Sequence, residues 1–341
     1  RRGRAAGRGV SRPRVLLVSL GTTAGLRASD EALAQMLETA GAQVQLARAP
    51  ATRSVRTLAL TDLVQARAAA RAAREALAGS TPDAVIYSTV TAALLAPVPG
   101  AIRLDTTAAE NRPGRHGLWQ RPREARRLAQ APLLIPTDEH SLDPYPELRL
   151  RSLVVPIPVD SSGPLTPPAQ RDIAAITYAA DPEKKGLERV LEAWARARRG
   201  DERLLVCGVE PGRLGELPEG VEAPGLLDRD GYRALLRRSR IFVTAPRQED
   251  HGIAQLEALA DGCLLVTTQA PGPYPALAIA QRLDPRLAGD DLAGAIRTAL
   301  DDPAPDYAAR AARELAPHRR EAVQQVVSGE LLARLTAAEL A

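Results

Sequence analysis

Short apolar strand runs alternating with helices, twice over and on either side of one Pro/Ser/Gly-rich break, constrain the fold of this chain most. Val15-Leu-Leu-Val-Ser-Leu20 is a continuous apolar run ending at Gly21, the pattern of a strand covered on both faces. Ser29 is placed to cap a helix carrying Leu33, Met36, Leu37 and Ala40 at helical spacing, closed by Gly41, and Gln43–Arg48 then alternates as a strand. Further strands are expected at Ala84–Tyr87, Ala101–Asp105, Leu133–Ile135 and Leu153–Val155, with Ala/Arg-rich helices between them. The stretch Asp160-Ser-Ser-Gly-Pro-Leu-Thr-Pro-Pro-Ala-Gln170 interrupts the pattern as a linker. Beyond it come strands Ile173–Tyr178, Leu204–Cys207, Ile241–Thr244 and Leu264–Thr268, again with helices between, and then helical segments Leu292–Leu300, Tyr307–Leu315 and Arg319–Leu335. Such alternation implies an α/β fold of two doubly wound Rossmann-like domains, with ligand bound in a cleft lined by strand C-termini.

Composition removes several function classes. With 341 residues the chain is long enough for two domains. It has no apolar run near the roughly 18–20 residues of a membrane span. Aromatics are 3% of the chain, so the core rests on Leu, Val, Ile and Ala. The net charge of +4 comes from an acid-free start holding Arg1, Arg2, Arg4, Arg8, Arg12 and Arg14. Without those six, the 41 acids slightly outnumber the bases, so no nucleic-acid partner is expected for the folded body. The basic tail, 1–14, is expected to be flexible and is a candidate for peripheral contact with anionic lipid. Cys207 and Cys263 lack metal-ligand spacing and, with no visible signal peptide, suggest a reducing compartment. The expected location is cytoplasmic, with the inner membrane face as a peripheral site.

The chemistry concentrates in Pro246-Arg-Gln-Glu-Asp-His-Gly-Ile-Ala-Gln-Leu-Glu-Ala-Leu-Ala-Asp-Gly262. Glu249 lies at the mouth of an Ala/Leu helix and Glu257 about two turns inside it, with the free N–H groups of a helix start between them. An acid, an anion cradle and a second acid suit a ligand with sugar at one end, diphosphate in the middle and ribose at the other. The helix is apolar almost all round, so Glu257 should be buried, and no Lys or Arg stands three or four positions away to pair with it. Either ligand hydroxyls satisfy it, or a distant Arg does in the fold.

This segment resembles the E-x7-E motif of retaining glycosyltransferases of family 4 (group 1), two-domain enzymes of the GT-B fold, with Arg247 in place of the usual Ser and His251 in place of Phe. Val155-Pro-Ile-Pro-Val-Asp160 is similar to that family's strand-to-linker signature, and Lys184-Lys-Gly-Leu-Glu-Arg-Val-Leu-Glu-Ala-Trp194 to its Lys-Gly helix start. The resemblance covers the C-terminal half well and the N-terminal half mainly in pattern. It implies an acceptor-side domain over 15–160, a linker at 161–170, a donor-side domain over 171–316 and a C-terminal helix, 317–341, packing back toward the N-terminal domain. It further implies transfer of a sugar from a nucleotide-diphosphate donor to a glycan, lipid-linked or small-molecule acceptor, with no metal and no cofactor.

Roles follow for the matching positions. Glu249 would hold donor-sugar hydroxyls and oppose charge at the anomeric carbon, and Glu257 would accept from the ribose. The amides of Gly252 and Ile253, with Lys184 or Lys185, would meet sugar or diphosphate. The family's Arg ahead of that lysine is replaced by Ala179 or Ala180, so either Arg247, a lysine of the neighbouring pair or a basic residue of the N-terminal domain takes its place, or the chain is a weak or inactive nucleotide- or glycan-binding module, with a sugar-nucleotide epimerase as another alternative. The loop Gly21–Gly25 stands where the family keeps a Gly-bearing loop near the donor phosphate, which nominates Gly25. Asp105 stands where a His is common beside the donor sugar, and the polar loop after it offers Asn111, Arg112 and His116 on the acceptor side. Among weaker signals, Asp228-Arg-Asp230 has a metal-binding form but reads as a helix cap, and His140 and His318 are expected on the surface. The chain lacks a G-x-G-x-x-G loop, a P-loop, a G-x-S-x-G elbow and paired C-x-x-C, which disfavours nicotinamide oxidoreductases, P-loop NTPases, esterases and zinc sites.

Overall fold

The computed structural model describes residues 12–52, 55, 57–112 and 114–337. Most of the expected basic tail, residues 1–11, therefore lies outside the described residues. The chain divides into two units. The first runs to Val155 and takes in the chain again from Gln324, and the second is Pro156–Val323.

In the first unit the order is β1 (Arg14–Ser19), α1 (Ala24–Thr39), β2 (Gln43–Arg48), α2 (Leu58–Gly79), β3 (Ala84–Tyr87), α3 (Val90–Ala93), β4 (Ala101–Leu104), α4 (Ala108–Asn111), α5 (Gln120–Gln130) and β5 (Leu134–Pro136). The strands are parallel in the order β2-β1-β3-β4-β5, with Val15 opposite Val44 and Ala84. Central strand β1 is buried from Val15 to Ser19, because helices cover both faces of a parallel sheet. Edge strand β2 alternates instead. Leu153–Val155 is no strand, although the N–H groups of Leu153 and Val155 bond to Leu134 and Pro136 beside β5. Thr23, not Ser29, caps α1: its side chain accepts from the N–H of Leu26 at 3.2 Å. Ser29 is then a buried residue inside the helix.

The second unit holds β6 (Ile173–Tyr178), α6 (Leu187–Ala197), β7 (Leu204–Cys207), β8 (Val221–Gly225), α7 (Arg229–Arg238), β9 (Ser239–Thr244), α8 (Ile253–Ala260), β10 (Leu264–Thr267), α9 (Pro275–Leu283), α10 (Leu292–Asp301) and α11 (Tyr307–Glu314). Its parallel order is β10-β9-β6-β7-β8. Strand order therefore reverses between β1 and β3 in one unit and between β6 and β9 in the other, the switch points at which open α/β sheets bind ligands. Helix α6 buries Leu187, Val190, Ala193, Trp194 and Ala197, one face at helical spacing.

The stretch expected as a free linker is tied to the second unit. The N–H and Oγ of Ser162 bond to Asp261 at 2.8 and 2.9 Å, and buried Arg171 donates to the carbonyls of Thr166, Ser239 and Asp261. The terminal segment is α12 (Arg320–Val326), a π turn over Val327–Leu331 and α13 (Leu332–Ala337), and the division between units falls inside it. Gln324 donates to the carbonyl of Met36 at 3.0 Å, within the first unit. No described helix is long and apolar enough to cross a membrane.

Candidate active site at the switch point of the second unit

The loops that follow β6 and β9 meet at the switch point, and a glycine makes their approach feasible. Gly186 has φ +62°, and a β-carbon on it would collide with the carbonyl oxygen of Ala245. Held that close, the N–H of Arg247 bonds to the carbonyl of Lys184 at 2.9 Å, and Arg189 donates to the carbonyl of Ala245 at 3.1 Å. This is the physical content of the Lys-Lys-Gly sequence: it brings both lysines beside the segment that carries the acids.

Glu249 is buried, and its Oε2 accepts from Lys185 Nζ at 2.6 Å and from Gln255 Nε2 at 2.9 Å. Gln255 also donates to the Tyr274 hydroxyl at 3.4 Å, which lies 2.7 Å from Thr267 Oγ1. The segment after β10 clamps the same loop: the N–H of Glu249 bonds to Pro271 O at 3.0 Å, and that of Tyr274 to Asp250 O at 3.3 Å. Tyr274 takes φ +40°, a conformation a bulky residue adopts only where its surroundings enforce it. Its buried hydroxyl is pushed well up from the usual phenol value by loss of solvent. Lys184 Nζ lies 3.1 Å from Asp250 Oδ2. Arg247, expected to stand in for the missing diphosphate arginine, instead bonds to exposed Glu188. Ala179 belongs to the core, and Ala180 is exposed in the loop.

Gly252 is the N-cap of α8 with φ +82°, and no side chain caps that helix. Its first N–H groups, including that of Ile253, have no intrahelical acceptor, the position at which an anion cradle is expected from sequence. Glu257, the fifth residue of α8, is buried but not unpartnered. Oε1 accepts from Arg229 Nη2 at 3.0 Å and from Arg233 Nη1 at 3.3 Å. Arg233 is itself buried and engages all three of its nitrogens, giving Nε also to Asp261 at 2.6 Å and Nη2 to Asp160 O at 2.8 Å. Of the two alternatives left open by the sequence, the distant-arginine one therefore holds for Oε1. Asp228 caps α7 by accepting from the N–H of Gly231 at 2.8 Å, which delivers Arg229 and Arg233 to this place. His251 is buried and faces His318 with ring centroids 6.3 Å apart, so the expectation of a surface position fails for His318 while His140 is exposed.

The candidates of the first unit are dispersed. Gly25 is not a loop residue but lies in the first turn of α1. Asp105 directly follows β4 and, with Asp30, favours the charged form of buried Arg103, which burial itself opposes. Asn111 ends α4, while Arg112 grips Asp62 of α2 through two bonds of 2.7 and 3.0 Å. His116 falls in the 3-10 turn Gly114–Gly117, and its side chain lies outside the described residues.

Two features escaped sequence reading. Ser19, Asp30, Ser88 and Arg103 form a buried polar cluster at the C-terminal ends of β1, β3 and β4, with Ser19 donating to Asp30 and Arg103 Nη1 3.6 Å from it. The available signal was Asp30 sharing the helix face of Leu33 and Leu37. Glu124 is buried on α5, and both its oxygens accept the N–H of Ala108 at 2.8 and 2.9 Å, pinning the start of α4. Burial raises its carboxyl to about 7 despite that bond. Cys207 and Cys263 are buried free thiols pushed up to about 12, which makes them inert.

Residues 171–302 match the family described as Glycosyl transferases group 1. No curated protein sequence matches the chain significantly. Among solved structures, a sucrose-phosphate synthase from Thermosynechococcus elongatus is similar at TM-score 0.75 and 16% identity, covering 96% of this chain and 100% of that one. WaaG, a glycosyltransferase involved in lipopolysaccharide biosynthesis, is similar at TM-score 0.63 and 15% identity, over 96% and 99% of the two chains. The calicheamicin glycosyltransferase CalG4 is similar at TM-score 0.58 and 18% identity, over the same shares. The chain thus has the α/β architecture of GT-B glycosyltransferases, two Rossmann-like units, and the part of its second unit that holds Glu249 and Glu257 is similar to the group 1 family.

Proposed function

We propose that the chain is a retaining glycosyltransferase, moving a sugar from a nucleotide-diphosphate donor to an acceptor without a metal ion. One observation carries the reading: Glu249, buried and gripped by Lys185 and Gln255, stands just ahead of the uncapped start of α8 at a sheet switch point. Free helix N–H groups suit an anionic diphosphate, and a carboxylate oxygen beside them suits sugar hydroxyls as donors. Glu249 Oε1 accepts from sugar hydroxyls, and its charge opposes the oxocarbenium-like state. The N–H groups of Gly252 and Ile253, with Lys184 and Lys185, receive the diphosphate as its charge develops. Glu257 keeps Oε1 on its arginines and offers Oε2 to the ribose. Asp105 remains the second catalytic candidate, beside the donor sugar, and Asn111 and His116 remain acceptor-side candidates, whereas Arg112 is committed to Asp62. The acceptor is a glycan, a lipid-linked molecule or a small molecule, and the expected setting is the cytoplasm.

A thermal-shift panel of nucleoside diphosphates and their sugars tests the reading, since ligand at 100 times its Kd adds about 2.7 kcal/mol. Stabilisation by one base series, with slow release of free sugar that persists in chelator, is expected. Absence of any nucleotide effect at millimolar ligand removes the proposal. Binding without sugar release points to the second reading, a nucleotide-binding module, which the core position of Ala179 and the engagement of both lysines with acids favour.

A further inference from the structure

One partly exposed aromatic ring at the sheet end of the second unit has no part in the proposed transfer. Tyr178 is the last residue of β6, the central strand. Its neighbour β7 ends beside Gly208, which has φ +83°, and a β-carbon there would stand 2.5 Å from the Tyr178 ring. A glycine is therefore what lets the ring lie across the end of that strand. On another side the ring meets buried Tyr232 of α7, with centroids 5.2 Å apart and planes inclined by 52°. Tyr232 stands beside Arg233 and one turn beyond Arg229, and those two arginines hold Glu257 Oε1. The same helix thus ties both the ring and the carboxylate in place. Loss of solvent and, after it, the charge of Glu257 push both phenols up. The Tyr178 hydroxyl makes no hydrogen bond among the described residues, so packing alone sets the ring.

A fixed and partly open aromatic ring suits a planar partner. With diphosphate at the start of α8 and ribose on Glu257, a nucleotide carries its base beyond the ribose, away from the diphosphate. The element that holds Glu257 on that side is α7, whose Tyr232 abuts Tyr178. Position 179, next in the chain, is a core alanine and brings no cation to this strand end, and Lys184 and Lys185 are both engaged with acids. Grip on the donor must then draw on something other than charge. We propose that Tyr178 is a donor-binding residue whose ring stacks on the nucleobase and supplies much of the affinity for the nucleotide. Every base has a π-face, so the contact raises affinity without choosing among bases. The inference rests on the glycosyltransferase reading and deepens it.

The test is calorimetric titration of the full chain with uridine, guanosine and adenosine diphosphates. The parent is expected to bind at least one of them, and Tyr178→Leu to bind it about tenfold more weakly. Tyr178→Phe keeps the ring and should stay within about twofold of the parent. In Tyr178→Trp, added nucleotide should quench an emission that the parent lacks, a signal that requires contact between ring and base. Thermal stabilisation by inorganic pyrophosphate, which has no base, should be the same in the parent and Tyr178→Leu. The proposal is overturned if Tyr178→Leu binds like the parent, or if Tyr178→Phe loses as much as Tyr178→Leu, which would assign the contact to the hydroxyl. Absence of quenching in Tyr178→Trp overturns it too, as does a loss of the pyrophosphate effect equal to that of the nucleotide, the sign of a merely structural ring. A parent that binds no nucleotide removes the donor reading and this inference together, whereas a binding parent matched by Tyr178→Leu removes the inference alone.

Discussion

Each unit gathers polar groups at the C-terminal end of its parallel sheet, yet the two handle them in opposite ways. In the first, Ser19, Asp30 and Arg103 face one another on two strands and a helix, deep in the fold. In the second, Glu249 sits on a loop at a helix start, its lysine partner one-fifth exposed. The first arrangement closes on itself and fixes the sheet end. The second leaves Glu249 Oε1 and the first N–H groups of α8 without a hydrogen-bond partner among the described residues. A shared α/β scaffold therefore does not imply a shared task; what differs is whether charge is matched within secondary structure or across loops.

The comparison breaks first at the buried arginines. Arg103→Met and Arg233→Met each strip a buried carboxylate of its cation, and a loss of about 3–5 kcal/mol is expected in urea unfolding. Arg233→Met should be the more severe, since both Glu257 and Asp261 lose a partner. A loss below 1 kcal/mol in either case would mean that water reaches that cluster.

Glu124 sharpens the first unit's side of the contrast. Its folded value of about 7 lies above the usual 4.5, so the folded chain binds this proton more tightly than the unfolded one. Stability from this group is present below pH 4.5 and is lost as pH rises toward 7, by about 3 kcal/mol in all. Glu124→Gln should flatten that part of the stability–pH profile; an unchanged slope would show that Glu124 is solvated.

At the second unit, Glu249→Gln should lower turnover about a hundredfold while nucleotide affinity holds, read by product release and calorimetry. Wild-type turnover would remove Glu249 from the site. The smallest effect belongs to Glu257→Ala, about tenfold in nucleotide affinity for one lost charge-assisted bond. Unchanged affinity would leave Glu257 as nothing more than the partner of Arg229 and Arg233.

Much of the fold was legible, and the misses share a cause. Runs such as Val15–Val18 and Ile173–Ile176 announce strands because both their faces are covered. Strand β8 (Val221–Gly225) went unread because an edge strand tolerates Glu222 and Pro224, which a buried one would not. Helix α1 starts earlier than Ser29 suggests because Thr23 was the better-placed cap. At the site, the acids and lysines were visible as a motif, but their partners were not. Gln255 sits six positions from Glu249, and Arg229 is 28 positions from Glu257, contributed by another helix.

The amino-acid order by itself determined the two α/β units and the placement of Glu249 and Glu257 on either side of a helix entrance. These depend on local periodicity and capping, which act within a few residues. Tertiary structure alone decided which charges met: that Lys185 reaches Glu249, that two arginines take Glu257, and that Asp30 and Arg103 bury one another. Side-chain pairing between elements is set by how strands and helices are stacked in space, and a desolvated charge accepts whichever partner that stacking delivers.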